Sequence, residues 1–494
     1  MNRKVDTTPP GRAVVIGAGI AGLGAAIRLA VKGYDTHVVE ARKEPGGKLH
    51  SFDLEGFRFD AGPSLFTMPE QVTELFDLAG RDPAAYFPYR QLNDACRYFW
   101  PDGHRFIART DPEQFAREAA ATFHVPESEI REHLIHARDL LQSAGKVFLH
   151  KPLNRWQTWT DPAVVTTLLT LKAADLLYPL DRLNRLRLKE PHLVQLFNRF
   201  ATYNGSDPYR TPGLMTMIAA LEHGQGVFFP EGGMVAITRA LHQLGLDLGV
   251  TYHFNTTVDE ILVQQQKVRG IRIGTETMPA DLVLSDMDIW YTYRRLLPDH
   301  PAPERILRQE RSTSALVFYW GIQHTFEELG LHNIFFSADY QQEFDLLFRG
   351  EEVTDDPTIY VHISCKEESG DAPSGWVNWF VMVNAPRHEG QDWTAIIQEV
   401  RNNVLKRLTR ELGQPIEPLI VREKIWSPPG IEADTLSYQG ALYGNSSNNR
   451  FSAFLRHPNE NPTIQGLYHI GGTVHPGGGI PLSLLSAKIS TERI

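Results

Sequence analysis

The sequence predicts an α/β protein in which two domains are interleaved along one chain, and three observations support this fold class. A short Val-rich run at 12–16 leads directly into a glycine-rich turn and an amphipathic stretch, which is the order strand, turn, helix. Segments with a strand pattern return far along the chain, at 251–285. A strand, a glycine loop and a helix are indicated again at 466–494. The chain is therefore expected to pass between the domains several times.

Length and composition fit a folded protein with a large core. The 494 residues are 42% hydrophobic and 22% charged, which excludes a disordered chain and a single small binding module. The formal net charge of −10 argues against nucleic acid as a partner, because phosphate binding needs a basic surface. Only Cys96 and Cys365 are present, too few for a disulfide framework or a cysteine metal cluster. We expect a reducing compartment and no metal site.

The elements follow in order from the same patterns. Helices are predicted at 23–33, 71–78, 112–121, 128–147 and 393–412, and strands at 12–16, 34–39, 251–263, 268–273, 281–285, 315–320 and 376–383. Residues 65–240 otherwise have a mostly helical pattern. The first domain is predicted to comprise 12–70, 230–290 and 460–494, the second 71–150, 205–229 and 291–459, with a helical segment at 151–204.

The first glycine motif predicts a dinucleotide site. In Gly17-x-Gly19-x-x-Gly22, the glycines permit a tight turn, backbone approach to a pyrophosphate and close packing of helix on strand. Glu40 follows the second strand, 18 positions after Gly22, where a carboxylate can accept ribose hydroxyls. A carboxylate there argues against a 2′-phosphate. The alternative is a purely structural glycine turn.

A second glycine pair favours FAD over NAD. Gly46-Gly47-Lys48 precedes a predicted strand pair that ends at Gly62-Pro63-Ser64. Backbone and a cation at this point could contact a second stretch of an extended cofactor, such as FAD. The alternative is an ordinary hairpin loop.

The C-terminal residues make a family resemblance specific. The run 466–481, GLYHIGGTVHPGGGIP, resembles the terminal flavin-binding signature of bacterial phytoene-desaturase-type carotenoid desaturases, within the amine-oxidase-like flavoproteins. Pro481 suits the first turn of a helix, whose positive N-terminal end could stabilise reduced flavin. The resemblance implies a Rossmann-type FAD-binding domain, an interleaved substrate domain and FAD as cofactor. It adds Val258, Gly472, Gly479, Pro481 and Leu482 to the expected cofactor contacts.

The same resemblance implies a reaction. Such enzymes introduce C=C bonds into an acyclic carotenoid by hydride transfer to flavin, while the protein supplies orientation and an apolar tunnel. The electron acceptor would be quinone or oxygen, and no residue is assigned as a catalytic acid or base. Alternatives are a flavin amine or porphyrinogen oxidase and a non-catalytic lipid escort protein, which would need no second flavin loop.

The segment 198–209, NRFATYNGSDPY, resembles the hydroxycarotenoid 3,4-desaturase branch more than phytoene desaturases proper. This similarity implies a 1-hydroxycarotenoid substrate desaturated at the 3,4 bond, with phytoene as the alternative. Candidate substrate contacts are Phe200, Tyr203, Asp207 and Phe229. The aromatic residues could equally be plain core, and Asp207 could simply form the turn before Pro208.

An apolar helix at 163–180, followed by Arg182, Arg185, Arg187 and Lys189, predicts contact with a membrane surface. A buried helix with a solvated basic end is the alternative. No run is long enough to span a bilayer, and the N-terminus does not have the pattern of a signal peptide. We therefore expect a cytoplasmic protein associated peripherally with the inner membrane.

Overall fold

A parallel sheet of five strands organises the first domain of this computed structural model, which describes residues 10–145, 147, 149, 151, 158, 160–449 and 456–494. From one edge to the other, the strands are Leu467–His469, Leu282–Ser285, Arg12–Ile16, Asp35–Val39 and Thr251–His253. In the centre, Val14 pairs with His37 on one side and Val283 on the other. All five strands fall within the ranges predicted for this domain.

Three helices pack beside this sheet. Helix Ile20–Val31 contacts both Val235–Asp247 and the C-terminal helix Ile480–Thr491. Gly24 allows the close approach of the C-terminal helix, since a Cβ at this position would lie 2.8 Å from a methyl carbon of Leu484. The first and last helices of the chain are thereby held together at one face of the sheet.

The predicted strand at 251–263 is wrong in its extent. Thr251–His253 joins the parallel sheet, whereas Glu260–Gln264 begins an antiparallel sheet that continues with Lys267–Ile273 and Glu276–Pro279. Between them, Asn255 has a φ of +53°, a left-handed conformation that Asn tolerates better than most residues and that no strand can contain. The backbone turns there, so the two ends of the hydrophobic stretch 251–263 belong to two different sheets.

A seven-stranded sheet forms the second domain. Its order is Ile420–Trp426, Ser314–Ile322, Val377–Ala385, Ile359–His362, His332–Phe335, Asp94–Phe99 and Arg105–Arg109. One face packs on the long helix Trp393–Leu412. The other face packs on the hairpin His50–Leu54 and Phe57–Ala61 of the first domain. We call this sheet the large sheet.

The mostly helical pattern at 65–240 missed part of the large sheet. Asp94–Phe99 pairs in parallel with His332–Phe335, more than 230 residues away, and Tyr89–Gln91 pairs with Phe228–Pro230. These pairings come from distant segments, so local periodicity carries no signal for them. The remaining helices are Glu70–Leu78, Pro112–Phe123, Glu127–Leu140, Pro191–Asn198, Ile289–Tyr291, Glu304–Leu307, Tyr340–Asp345 and Pro428–Thr435.

The apolar stretch at 163–180 is not one helix. It comprises Pro162–Thr170 and Ala173–Leu177, after which Leu180–Arg187 begins. Pro179 explains the second break, because the residue before a proline is disfavoured in helical conformation.

Within the predicted domains and helical segment, residues 146, 148, 150, 152–157, 159 and 450–455 lie outside the described part of the chain. Among the described helices, none combines the length and apolarity needed to cross a membrane.

Candidate cofactor and substrate site

The glycine turn lies at the carboxyl edge of the parallel sheet, between a strand and the helix Ile20–Val31. A Cβ on Gly22 would lie 2.0 Å from the carbonyl oxygen of Gly17, and one on Gly19 would lie 2.4 Å from Asp286 Oδ2. Only glycine fits at these positions. The N-cap residue Gly19 has no side chain to bond the first amides of this helix, and of these amides Asp286 accepts only that of Gly22 among the described residues, so those of Ile20 and Ala21 can bind a phosphate.

Glu40 reaches the same turn from the neighbouring strand. Its Oε2 accepts a hydrogen bond from the Ala18 amide at 2.7 Å, and its Oε1 accepts one from the Arg42 amide at 2.9 Å. Each carboxylate oxygen keeps a further lone pair for a ribose hydroxyl. The side chain is buried, so the carboxylate is held in place beside the glycine turn.

Val258 lies beyond Glu40 along the same edge. Its side chain is buried in a cluster with Val14, Ile16 and Val39. Its amide and carbonyl make no backbone hydrogen bond among the described residues, so both groups can bind a ligand. This arrangement suits the predicted backbone contact with adenosine.

The second glycine loop brings a cation to the site. Lys48 Nζ donates to the carbonyl of Leu442 at 2.9 Å. Burial lowers the pKa of Lys48 to about 8, although the charges of Asp288 and Asp286 oppose this shift. Gly62 packs on the same loop, since a Cβ there would lie 2.2 Å from the Lys48 carbonyl oxygen. The segment Gly62-Pro63-Ser64 therefore leads from this loop to the large sheet, where Ser64 contacts Tyr360.

Asp286 is a site residue that the sequence reasoning missed. It follows the strand Leu282–Ser285, and its Oδ2 accepts the Gly22 amide at 3.1 Å. Burial, reinforced by the charge of Glu40, raises the pKa of Asp286 to about 8. Its position directly after a strand of the parallel sheet was the available signal.

The C-terminal loop completes this edge. Gly479 caps the helix Ile480–Thr491 with a φ of +100°, and a Cβ there would meet no atom within 4 Å, so its face is open. Pro481 lies in the first turn, and Pro481 and Leu482 are both half-buried. A Cβ on Gly472 would lie 3.1 Å from the Cα of Gly478, so the loop folds tightly. The N-terminal end of this helix therefore has open space beside Gly479.

Arg311 is a second residue that sequence reasoning missed. Its side chain is 2% exposed, yet none of its three guanidinium nitrogens has a hydrogen-bond acceptor in the described part of the chain. The nearest carboxylate oxygen, of Asp288, lies 3.8 Å away. Buried donors without acceptors are costly, so this cation suits a ligand that offers oxygen atoms. Arg456 lies nearby and donates to the carbonyls of Gly472 and Tyr443.

The predicted substrate contacts have separate environments. Phe200 and Phe229 are fully buried in the core of the second domain. Tyr203 is half-buried, and its hydroxyl donates to Glu222, which also forms a buried ion pair with Arg199 at 2.9 Å. The structure therefore places Tyr203 in a polar cluster of its own, at the edge of the apolar core.

Asp207 has a local role in the turn. Its Oδ1 accepts the amide of Tyr209 at 2.7 Å, the contact of a turn-forming Asp. Burial raises the pKa of Asp207 to about 6. Among the described residues, Asp102, His104 and His192 are close enough to share a metal ion. His192 already contacts Asp102 and Glu190 through its two ring nitrogens, so the group has bonding partners without an ion.

The site residues fit an extended dinucleotide. Two glycine loops and a helix N-terminus offer backbone at one edge of the parallel sheet, while Lys48 and Arg311, whose guanidinium makes no hydrogen bond among the described residues, supply positive charge. The open face at Gly479 accommodates the far end of such a molecule.

Comparison with known proteins shows the family of this chain. Residues 20–494 match the model of the flavin-containing amine oxidoreductases. The chain is 46% identical over 483 residues to the 1-hydroxycarotenoid 3,4-desaturase of Flavobacterium sp. (strain P99-3), covering 98% of this chain and 99% of that protein. It is 30% identical to a 4,4'-diapolycopene oxygenase of Methylomonas sp., covering 98% of each chain.

Solved structures share the fold. An oxidoreductase from Methanosarcina mazei matches with a TM-score of 0.64 at 15% identity, covering 97% of this chain and 100% of that chain. A putrescine oxidase variant matches with a TM-score of 0.63 at 14% identity, covering 98% of both chains. The cofactor is FAD, and the chain belongs to the flavin-containing amine oxidoreductase family, in the branch that includes the carotenoid desaturases.

Proposed function

We propose that this protein is an FAD-dependent desaturase that forms the 3,4 double bond of acyclic 1-hydroxycarotenoids. The observation that carries this function is the 46% identity, over nearly the whole of both chains, to a 1-hydroxycarotenoid 3,4-desaturase. The geometry supports it, because the hairpin that follows the Lys48 loop packs on a face of the large sheet that is rich in aromatic and aliphatic side chains.

When bound, FAD would supply a two-electron acceptor for the hydride removed from an allylic C–H bond, a base or water would take the proton from the neighbouring carbon, and quinone or oxygen would then reoxidise the flavin. The residues of this chain orient the polyene and exclude water. Val317, Tyr319 and Phe380 of the large sheet are at most 4% exposed, because they pack against Phe57 and Phe59. They form the apolar core under the hairpin and are not proposed as substrate contacts.

The substrate is tested with purified, FAD-loaded protein. Phytoene and a 1-hydroxylated acyclic carotenoid are supplied in separate assays with one quinone acceptor, and the initial rate of chromophore lengthening is compared. We expect faster conversion of the hydroxylated substrate. Faster conversion of phytoene would refute the proposed substrate, and an oxygenated product without a new double bond would favour an oxygenase.

We also propose that the protein binds the cytoplasmic surface of the inner membrane, because its substrate dissolves in lipid. Three large apolar side chains are exposed in the helical segment, namely Val165, Leu177 and Leu186. Arg182 and Arg185 are exposed on the helix Leu180–Arg187 that also carries Leu186, and Arg185 forms an ion pair with Asp181 at 2.9 Å. Apolar side chains flanked by cations suit anionic lipid. By contrast, Asp175 is buried and contacts His136 at 2.9 Å, so its charge does not oppose this contact.

Liposome binding tests this surface. Leu177→Ser with Leu186→Ser should lower partitioning into anionic vesicles by about tenfold or more, since burying one such side chain contributes about 1.5–3 kcal/mol. Arg182→Gln with Arg185→Gln should lower it further at low salt, by about 1 kcal/mol per charge. Leu246→Ser is the matched control, since Leu246 is 46% exposed on a helix of the first domain. Equal partitioning of all variants would refute the proposed surface.

A further inference from the structure

A line of three polar side chains crosses from the cofactor side of the site to the large sheet. Ser64 Oγ lies 2.8 Å from Tyr360 Oη, and His332 Nδ1 lies 2.8 Å from the same oxygen. Ser64 lies just beyond the strand Phe57–Ala61, whereas His332 and Tyr360 lie on adjacent strands of the large sheet. The line therefore joins the two domains.

The surroundings of this line are apolar. Tyr360 packs against two hydrophobic clusters, one formed mainly by the helical part of the second domain and one by the hairpin of the first domain. Its strand neighbours Ile359 and Val361 are completely buried, but Tyr360 itself and Ser64 are only half-buried. The two hydroxyl groups thus lie at a junction of apolar surfaces, on side chains that are only half-buried.

The line is electrically neutral. Burial, reinforced by the charges of His362 and Arg199, lowers the pKa of His332 well below its usual range, and burial raises the pKa of Tyr360. Within the described residues His332 Nε2 has no hydrogen-bond partner. An unpaired acceptor costs less than an unpaired N–H, so the ring proton belongs on Nδ1. A neutral line suits an alcohol better than a carboxylate or an ammonium group.

The direction of the hydrogen bonds follows from that tautomer. His332 Nδ1–H donates to the Tyr360 oxygen, and the Tyr360 hydroxyl donates to Ser64 Oγ. The hydroxyl hydrogen of Ser64 is then free to donate to a ligand oxygen. The line ends in one donor that is oriented by two residues behind it.

The position of this donor matches the proposed substrate, on which this inference rests. In a 1-hydroxycarotenoid the oxygen lies four bonds from C4, which is about 5 Å in an extended chain. Ser64 follows Gly62 by two residues, and Gly62 packs on the loop of Lys48, so the donor lies close along the chain to the loop expected to contact the cofactor. We propose that Ser64, Tyr360 and His332 bind the 1-hydroxyl of the substrate and so place its 3,4 bond at the cofactor.

The test compares two substrates that differ in one group, a 1-hydroxylated acyclic carotenoid and the hydrocarbon of the same skeleton without the hydroxyl. For each variant we measure the ratio of kcat/KM for the hydroxylated substrate to that for the hydrocarbon. Tyr360→Phe and Ser64→Ala should each lower this ratio about tenfold or more, since each removes a hydrogen bond of a buried polar group. Flavin absorbance and circular dichroism verify that each variant is folded and loaded.

Tyr252→Phe is the matched control. Tyr252 lies on the strand Thr251–His253 of the parallel sheet, packs on the core of the first domain, and has a hydroxyl without a partner in the described part of the chain. Its removal should change the ratio less than twofold. A wild-type ratio of one or less would refute the proposed substrate itself. A high wild-type ratio that Tyr360→Phe retains, or an equal loss of kcat/KM on both substrates, would refute this inference and leave the proposed function intact.

Discussion

Replacing Asp286 by Asn should halve the dependence of FAD affinity on pH in alkaline solution. The carboxyl lies at the glycine turn, where its Oδ2 accepts the Gly22 amide at 3.1 Å and would meet a Cβ on Gly19 at 2.4 Å. A pyrophosphate approaching that turn meets this group. Burial raises the pKa of Asp286 to about 8, so the group is neutral at pH 7 and can donate a hydrogen bond. Above pH 8 the Asp286 carboxyl is ionised and repels the negatively charged pyrophosphate of FAD.

The size of the expected pH dependence follows from two titrating groups, Asp286 and Lys48. When a ligand binds only the protonated form of a residue, its affinity falls tenfold for each pH unit above that pKa, or about 1.4 kcal/mol. Lys48 also has a pKa of about 8, lowered by burial, and its positive form favours the same pyrophosphate. Both protons are lost with rising pH, so the slope of log Kd against pH should approach two in the wild type above pH 8.5. In Asp286→Asn, and in Lys48→Met, it should approach one.

The assay is titration of apoprotein with FAD, followed by quenching of flavin fluorescence, between pH 6.5 and pH 9.5. Asp77→Asn is the matched control, because Asp77 is exposed on the helix Glu70–Leu78. This variant should retain the wild-type slope. The reasoning is refuted if wild-type affinity does not change between pH 7.5 and 9.5, or if Asp286→Asn binds FAD tenfold more weakly at pH 7, where the neutral carboxyl and the amide should be equivalent.

Three further predictions concern the cofactor and the core. Gly22→Ala should yield protein without flavin absorbance, because its Cβ has no space, whereas Gly370→Ala, where a Cβ meets nothing within 4 Å, should bind FAD normally. Glu40→Gln should raise the Kd for FAD about tenfold in the same titration, since hydrogen bonds to a charged acceptor contribute about 1.5–3 kcal/mol each; an unchanged Kd would contradict the ribose contact. Arg199→Met should lower the free energy of unfolding by about 3–5 kcal/mol in urea, because Glu222 would remain buried without its cation, and adding Glu222→Gln should restore part of it.

The cofactor half of the site was predictable because its signals are local. Gly17, Gly19 and Gly22 are required by the turn itself, and Glu40 lies one strand later, so spacing along the chain translates directly into spacing in the fold. The C-terminal loop has the same property, because Gly479 and Pro481 define the start of a helix wherever that helix packs. In such motifs, the spacing of the residues along the chain determines how they are placed relative to one another in the fold.

The substrate half was not predictable, because its geometry depends on strand pairing. Tyr360 and His332 contact each other only because two strands of the large sheet are adjacent, and Ser64 reaches them from the other domain. No period or spacing in the sequence relates these positions. The missed strand Asp94–Phe99 has the same cause, since its partner His332–Phe335 is remote. Asp286 was predictable in part: the sequence places it directly after a strand, but its hydrogen bond with the Gly22 amide depends on the pairing of that strand.

The path of the chain explains how two interleaved domains form one site. The strand Phe57–Ala61 packs on the large sheet through Phe57 and Phe59, while the residue after it, Gly62, packs on the loop of Lys48. Pro63 then fixes the backbone direction, because its ring restricts φ, and Ser64 contacts the large sheet. Gly62 contacts the Lys48 loop and Ser64, two residues later, contacts the large sheet. The large sheet therefore cannot shift relative to the parallel sheet without straining this short segment. Interleaving holds the cofactor loop and the substrate-binding sheet at a fixed distance, which a reaction between an extended cofactor and a long polyene requires.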